Sequence, residues 1–251
     1  MTASTPSGLG TACWGSRALR ASLSWRQSPV GPDASDSAPP AWRPFPSATQ
    51  FCSPTSGQAW TFIAQGRTVL VVCTGITPQG GGRIEADTYG LERRERATRM
   101  VEWIKILRLL WTEPNASFEG QHYRFRGVTI EPRPAAQPHP PIWIANNAVG
   151  NVDLVSRTHR RVARHADGWQ TSLPDPHDLA RRLDDIRSKL LDEGRDPDCF
   201  ETHLYHNVNI NEDRQHAFEE SKRFLETYYG EAFDPARVRS WVRARLTRGV
   251  R

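Results

Sequence analysis

The sequence lacks any apolar run approaching the roughly 20 residues of a membrane-spanning helix. It also lacks a basic start followed by an apolar core, so no secretory signal is expected. Its four cysteines, Cys13, Cys52, Cys73 and Cys199, show neither CxxC nor zinc-ligand spacing. They read as free thiols, which fits a reducing, cytoplasmic setting. No Ser/His/Asp or Cys/His arrangement carries a supporting motif. His122, His159, His165 and His206 offer no pair at metal-ligand spacing on one face, so no metal is expected. The net charge of +5 comes almost wholly from Arg spread along the chain. That pattern reads as a solvated surface and not as a nucleic-acid footprint.

A second set of absences divides the chain. Residues 1–62 contain no Lys, Glu, Ile, Tyr or His. They are rich in Ser, Pro, Ala and Gly, and no window shows helical or alternating apolar periodicity. Such a segment buries too little apolar surface to offset chain entropy. Trp14, Trp25, Trp42 and Trp60 are unusual in a disordered tail, however. Two readings stay open for residues 1–63: an irregular, disordered segment, or one that is not the natural reading of its gene.

From residue 64 onward the local signals agree. Thr68–Thr74 is a β-branched apolar run suited to a strand buried on both faces. A glycine-rich connection, Gln79–Arg83, follows. Glu92–Trp111 has helical periodicity, with Ala97, Met100, Val101, Ile104, Leu107 and Trp111 on one face. Phe118–Ile130 alternates like a hairpin turning at Arg126-Gly127. Ile142–Ala145 is a short buried strand, and Val152–Arg164 a helix. Ala166–Ser172 is a strand, in which Asp167 orients backbone at the strand start. His177–Glu193 is a helix, N-capped by Asp175 and ended by Gly194. Leu204–Ile210 is a strand, with Leu204, His206, Val208 and Ile210 on one side. Arg214–Tyr229 is a helix. Strand and helix alternate, which implies parallel strands and an α/β sheet or barrel. Residues 243–251 lose the pattern and read as an irregular tail.

Several segments then match one known family together. Gln65-Gly66-Arg67 runs into VLVVCTG, and the helix ERATRMVEWIKILRLLWTE ends in Leu-Trp. Phe118-Glu119-Gly120 with His122-Tyr123, PHPPIWI, Ala166-Asp167-Gly168-Trp169 and Gly194-Arg195-Asp196-Pro197 follow in order. Residues 64–242 resemble the bacterial luciferase-like family of flavin-dependent oxidoreductases, including its branch that uses the deazaflavin F420. The resemblance implies a (β/α)8 TIM-barrel fold with an insertion segment, FMN or coenzyme F420 as cofactor, a small organic substrate and a homodimer. It implies a monooxygenase acting with reduced FMN and O2, or F420-dependent hydride transfer. Only about four of the eight barrel strands are recognisable, in places matching the fourth to the seventh. The alternative is therefore a non-catalytic truncated remnant of such an enzyme.

The candidate site follows from the strand ends. In β/α barrels the functional face lies at the C-terminal ends of the strands. Asn146 and Asn147 end a strand just before a helix, whose free N–H groups and dipole favour an anion such as a cofactor phosphate. Asn and Gly are also ordinary turn and cap residues. The resemblance assigns Asn147, Ala148, Val149 and Gly150, with Asn146 beside them, to the cofactor phosphate. It sets Thr74 and Gly75 beside the isoalloxazine or deazaflavin ring. Arg83, in the glycine-rich connection, faces an anionic substrate or phosphate on this reading.

Overall fold

The structure, a computed structural model, describes residues 21–22, 64–74, 92, 94–148, 150–172, 175–229 and 232–245. A five-stranded sheet forms its centre, in the order β1 (Ala21–Ser22), β2 (Thr68–Val72), β5 (Ile142–Ala145), β6 (Gly168–Thr171) and β7 (Glu201–Leu204). All its pairings are parallel. Between β2 and β5 the chain forms helix α1 (Arg96–Thr112) and an antiparallel hairpin of β3 (Ala116–Glu119) and β4 (Arg124–Val128). Helix α2 (Val152–His165) joins β5 to β6, and α3 (Pro176–Asp192) leads through a short turn at Pro197–Cys199 to β7. The chain is thus an open portion of a parallel β/α barrel; among the described residues the sheet does not close.

The strands alternate between two faces. Leu70, Val72, Ile142, Ile144 and Trp169 join one apolar core with Met100, Trp103, Ile104, Ile106, Leu107, Leu110 and Trp111 of α1. Val162 and Ala163 of α2 and Ile186 and Leu190 of α3 complete that layer. The periodicity of α1 therefore buries the face its sequence announces. The opposite face of the sheet carries Val69, Val71, Trp143, Gly168, Gln170 and His203.

At the N-terminal ends of the strands, Asp167 ties three segments together. Its carboxylate accepts from the Ile142 amide at 2.9 Å and from Arg108 of α1 at 2.7 Å. Its own amide donates to the Ile142 carbonyl at 2.7 Å, and its carbonyl accepts from the Glu201 amide at 3.3 Å. Asp167 thus orients backbone at a strand start. Gly168, next along, is required by space: an added Cβ would lie 2.6 Å from the Trp143 ring and 2.8 Å from the Glu201 carbonyl.

The remaining sequence motifs are also structural. Asp175 caps α3, accepting from the His177 and Asp178 amides. Gly194 follows α3 with φ +67, the left-handed stop that glycine adopts without strain. Arg195 donates to the Ala163 carbonyl at the end of α2, and its guanidinium lies over the Phe200 ring. Asp196 caps the turn that Pro197 begins. The Gly-Arg-Asp-Pro run is therefore a joint between α3, α2 and β7.

The structure corrects several expectations. The Leu204–Ile210 strand is two strands. β7 ends at Leu204 in the central sheet, and β8 (Asn207–Ile210) pairs in parallel with β9 (Val242–Arg245) in a separate sheet. Alternation in side chains carries across the Tyr205-His206 break, so the sequence pattern hides it. β9 occupies residues expected to be an irregular tail; its pairing with β8, a long-range interaction, supplies what local propensity lacks. Helices α4 (Arg214–Tyr229) and α5 (Pro235–Trp241) accompany this second sheet, around a small core of Leu225, Phe233 and Val238.

The hairpin turns at residues 120–123 and not at Arg126-Gly127. The Glu102 carboxylate of α1 fixes it by accepting from the amides of Gln121, His122 and Tyr123 at 2.6, 2.9 and 3.2 Å. Gly120 makes that approach feasible, because an added Cβ would meet Glu102 and Phe118 at 2.6–2.7 Å. Cys199 is disulfide-bonded, which corrects the expectation of four free thiols; which cysteines meet depends on the fold and not on spacing. Cys73 keeps its thiol and is half-buried just beyond β2. It was expected inside the strand.

Candidate functional site

The parallel register lines up the strand ends. Val72 pairs with Ile144, Ala145 with Gln170, and Thr171 with Leu204. Carried onward, it brings Thr74, Asn146 and Thr171 to one rim. The expected loop after β5 therefore lies at the C-terminal end of the sheet, beside the ends of β2 and β6. Gly75, Arg83 and Val149 lie outside the described residues.

Asn146 leaves the strand with its amide donating to the Gln170 carbonyl at 3.1 Å. Its side-chain oxygen accepts from the Ala148 amide at 3.4 Å, a turn that Asn forms readily. Its Nδ2 is buried and has no hydrogen-bond partner among the described residues. Asn147 instead crosses to β6. Its Oδ1 accepts from the Thr171 hydroxyl and the Ser172 amide, both at 2.9 Å, and its Nδ2 donates to the Ser172 hydroxyl at 2.6 Å. The Asn147 carboxamide is thus a clasp between two strand ends. Ala148 presents its carbonyl to Arg182 of α3, at 2.5 Å. Gly150 follows with φ +119, a conformation that side-chain-bearing residues rarely adopt.

Asn151 starts α2, its side chain accepting from the Leu154 amide at 2.8 Å. Asp153 sits in the first turn, where a carboxylate is favoured by the helix dipole. The amides of Val152 and Asp153 precede the capped one. Behind the loop, α2 and α3 are locked by a polar cluster. The His159 ring Nδ1 lies 2.6 Å from Asp185, whose other oxygen accepts from Lys189 at 2.5 Å. Burial favours the neutral His159 ring more strongly than Asp185 favours the charged one, so its pKa is lowered. Burial works against an ionised Asp185, yet its bonds to Lys189 and His159 prevail and hold its carboxyl below the usual range. His159 is only 1% exposed, packed between α2, α3 and the Trp169 ring 6.0 Å away.

On the opposite face of the sheet, the Trp143 and His203 rings lie 5.5 Å apart. His203 Nδ1 is 3.1 Å from Gln170 Oε1. An amide oxygen only accepts, so Nδ1 carries a proton and, in the neutral ring, Nε2 is left as an acceptor. Trp143, Gln170 and His203 thus form a polar-aromatic floor below the rim. Sequence reasoning missed His203 because the strand was started at Leu204, three residues too late; counting the alternation from Glu201 would have found it. Arg182 was missed as well, and no local signal marks it, because its partner is 34 residues away.

The chain matches the luciferase-like monooxygenase family over residues 60–247 and belongs to it. An FMNH2-dependent dimethylsulfone monooxygenase of Pseudomonas putida is 34% identical over 104 residues, 41% of this chain and 27% of that protein. One of Pseudomonas fluorescens (strain Pf0-1) is 29% identical over 101 residues, 40% of this chain and 25% of that protein. Among solved structures, monooxygenase RslO1 from Streptomyces bottropensis superposes with a TM-score of 0.56 at 23% identity, covering 73% of this chain and 54% of that one. The coenzyme F420 dependent tetrahydromethanopterin reductase of Methanopyrus kandleri gives 0.57 at 15% identity, covering 72% and 53%. These likenesses place the fold among the luciferase-like TIM barrels. The chain spans about a quarter of the length of the curated relatives it matches. No described helix is long and apolar enough to cross a membrane.

Proposed function

We propose that this chain is the phosphate-gripping portion of a flavin-dependent oxidoreductase, a monooxygenase that acts on a small organic substrate with reduced FMN and O2. The observation that carries this reading is the rim loop at Asn146–Asn151, clasped to β6 and to α3, in which the buried Nδ2 of Asn146 has no partner among the described residues. A buried donor without an acceptor is costly, and a phosphate or flavin oxygen would supply the acceptor. The residues present fit such a group: Asn146 Nδ2, the Val152 and Asp153 amides, and the backbone at Gly150, where no side chain blocks approach. We assign Thr74 and Gly75 to the ring side of the site, Ala148 and Val149 to the loop that carries the phosphate, and Arg83 to an anionic group of the substrate. Asn147 serves that loop as a clasp and not through direct contact.

When bound, reduced FMN supplies the electrons that activate dioxygen, so that one oxygen atom passes to the substrate. The chain's own residues bind, orient and shield. Trp143 gives the floor an aromatic wall. The Gln170 carbonyl fixes the His203 ring, so that its Nε2 accepts a proton or hydrogen bond at one defined place. FMN is preferred to F420 because the 34%-identical relative is FMNH2-dependent, whereas the F420-dependent reductase is 15% identical. We read residues 64–242 as the barrel portion. Titration of the purified chain with FMN and with F420, followed by flavin fluorescence and thermal melting, tests the proposal. Saturable FMN binding with a rise in melting temperature is expected. Absence of binding to both would instead support a non-catalytic remnant.

A further inference from the structure

We propose that Arg182 is a positioning residue that holds the phosphate loop in its binding shape, an inference that rests on the cofactor reading of that loop. Arg182 lies on α3, outside the barrel strands, and its side chain is only 11% exposed. Its guanidinium is divided between two partners. Nε donates to Asp178 Oδ2 at 2.9 Å, one turn back on the same helix. The NH1 group donates to the Ala148 carbonyl at 2.5 Å.

The planar guanidinium makes this division a geometric constraint. With Nε held by Asp178, the direction of the second donor is fixed, and so is the carbonyl it meets. The loop is then fastened on each side: Asn147 ties it to Thr171 at the end of β6 and to Ser172 just beyond, and Arg182 ties the next residue to α3. Loop amides aimed at an anion need such restraint, because a loop ordered only on binding gives up affinity to entropy. Arg182 also places a positive charge behind the loop, partly balanced by Asp178, which Arg181 shares at 2.6 Å.

The experiment compares FMN with riboflavin, which has the same ring but no phosphate. Dissociation constants are measured by fluorescence quenching for the full chain and for Arg182→Gln, Arg182→Lys and Arg181→Gln. Arg182→Gln is expected to weaken FMN about tenfold, the scale of one charge-assisted hydrogen bond, and to leave riboflavin unchanged. Arg182→Lys keeps the charge but not the fork, and is expected to fall between Arg182→Gln and the parent. Arg181→Gln removes a nearby charge that is 78% exposed and is expected to behave as the parent. Equal FMN affinity in Arg182→Gln and the parent overturns the proposal, as does an equal loss for Arg181→Gln or a parallel loss of riboflavin. Should Arg182→Gln fail to fold, Arg182→Lys carries the same comparison. A parent chain that binds neither FMN nor F420 removes the cofactor reading itself, a result distinct from any of these.

Discussion

Single residues here are fixed by close approach more than by propensity. Gly168 lies against Trp143 and the Glu201 carbonyl, and a methyl group there has nowhere to go. Gly168→Ala is expected to cost about 2–3 kcal/mol, as overpacking does, and a chemical denaturation midpoint will show it. A midpoint within error of the parent would contradict the packing argument. Asn147 is a different case, since its three bonds are exposed or half-buried. Asn147→Ala is expected to lose about 1 kcal/mol and to weaken FMN more than riboflavin, because it frees one side of the loop. Loss of stability with unchanged FMN affinity would make the clasp purely structural. Asn146 and Gly150 could be picked out from sequence because turn chemistry is local. The bonds from Asn147 to β6 and from Arg182 to Ala148 could not, because each joins residues more than 20 positions apart.

Elements were legible where their burial follows a regular period. The apolar face of α1, the cap of α3 by Asp175 and the strands at 68, 142 and 168 all stand close to where pattern reading sets them. What failed was the place where one strand passes from one sheet to another, because alternation continues through it. The hairpin turn was misjudged for a related reason. Its position is imposed from outside by the Glu102 carboxylate, and Arg126-Gly127 merely resembles a turn. Glu102→Ala removes the acceptor for three backbone amides. It is expected to destabilise the chain by about 2 kcal/mol and to raise amide exchange at residues 121–123 while leaving β5 and β6 protected. Uniform exchange across the chain would show that the hairpin is held by something else.

At the scale of the whole molecule, burial of imidazole sets the response to acid. His165 is pushed down to about 4 from 6.5, first by burial and then by Lys105, Arg164, Arg108 and Arg161. Burial also lowers His139 and His159. These rings bind protons more readily unfolded than folded. Stability is therefore complete above about pH 6.5 and declines as the pH falls toward about 4. His165 alone accounts for on the order of 2–3 kcal/mol across that window. Urea midpoints at pH 7.5 and pH 5 are expected to differ, and His165→Gln to reduce the difference; a pH-independent midpoint would refute it. None of this shows in the sequence, where His165 sits in a run that looks like solvated basic residues. The α/β class and the family were legible because a resemblance sums many local matches; the electrostatic surroundings arise only when α1 and α2 meet.

The joint between α2 and α3 has one more consequence. Arg195 and Glu193 hold the far end of the pair, through the Ala163 carbonyl and Arg164, while Arg182 holds the near end through Ala148. The two helices are thus braced at both ends, as one rigid strut behind the rim. A dye attached to the exposed Leu191 position, far from the rim, is therefore expected to keep its emission when an anion seats in the loop; a change of emission would show that the helix pair shifts as the site fills.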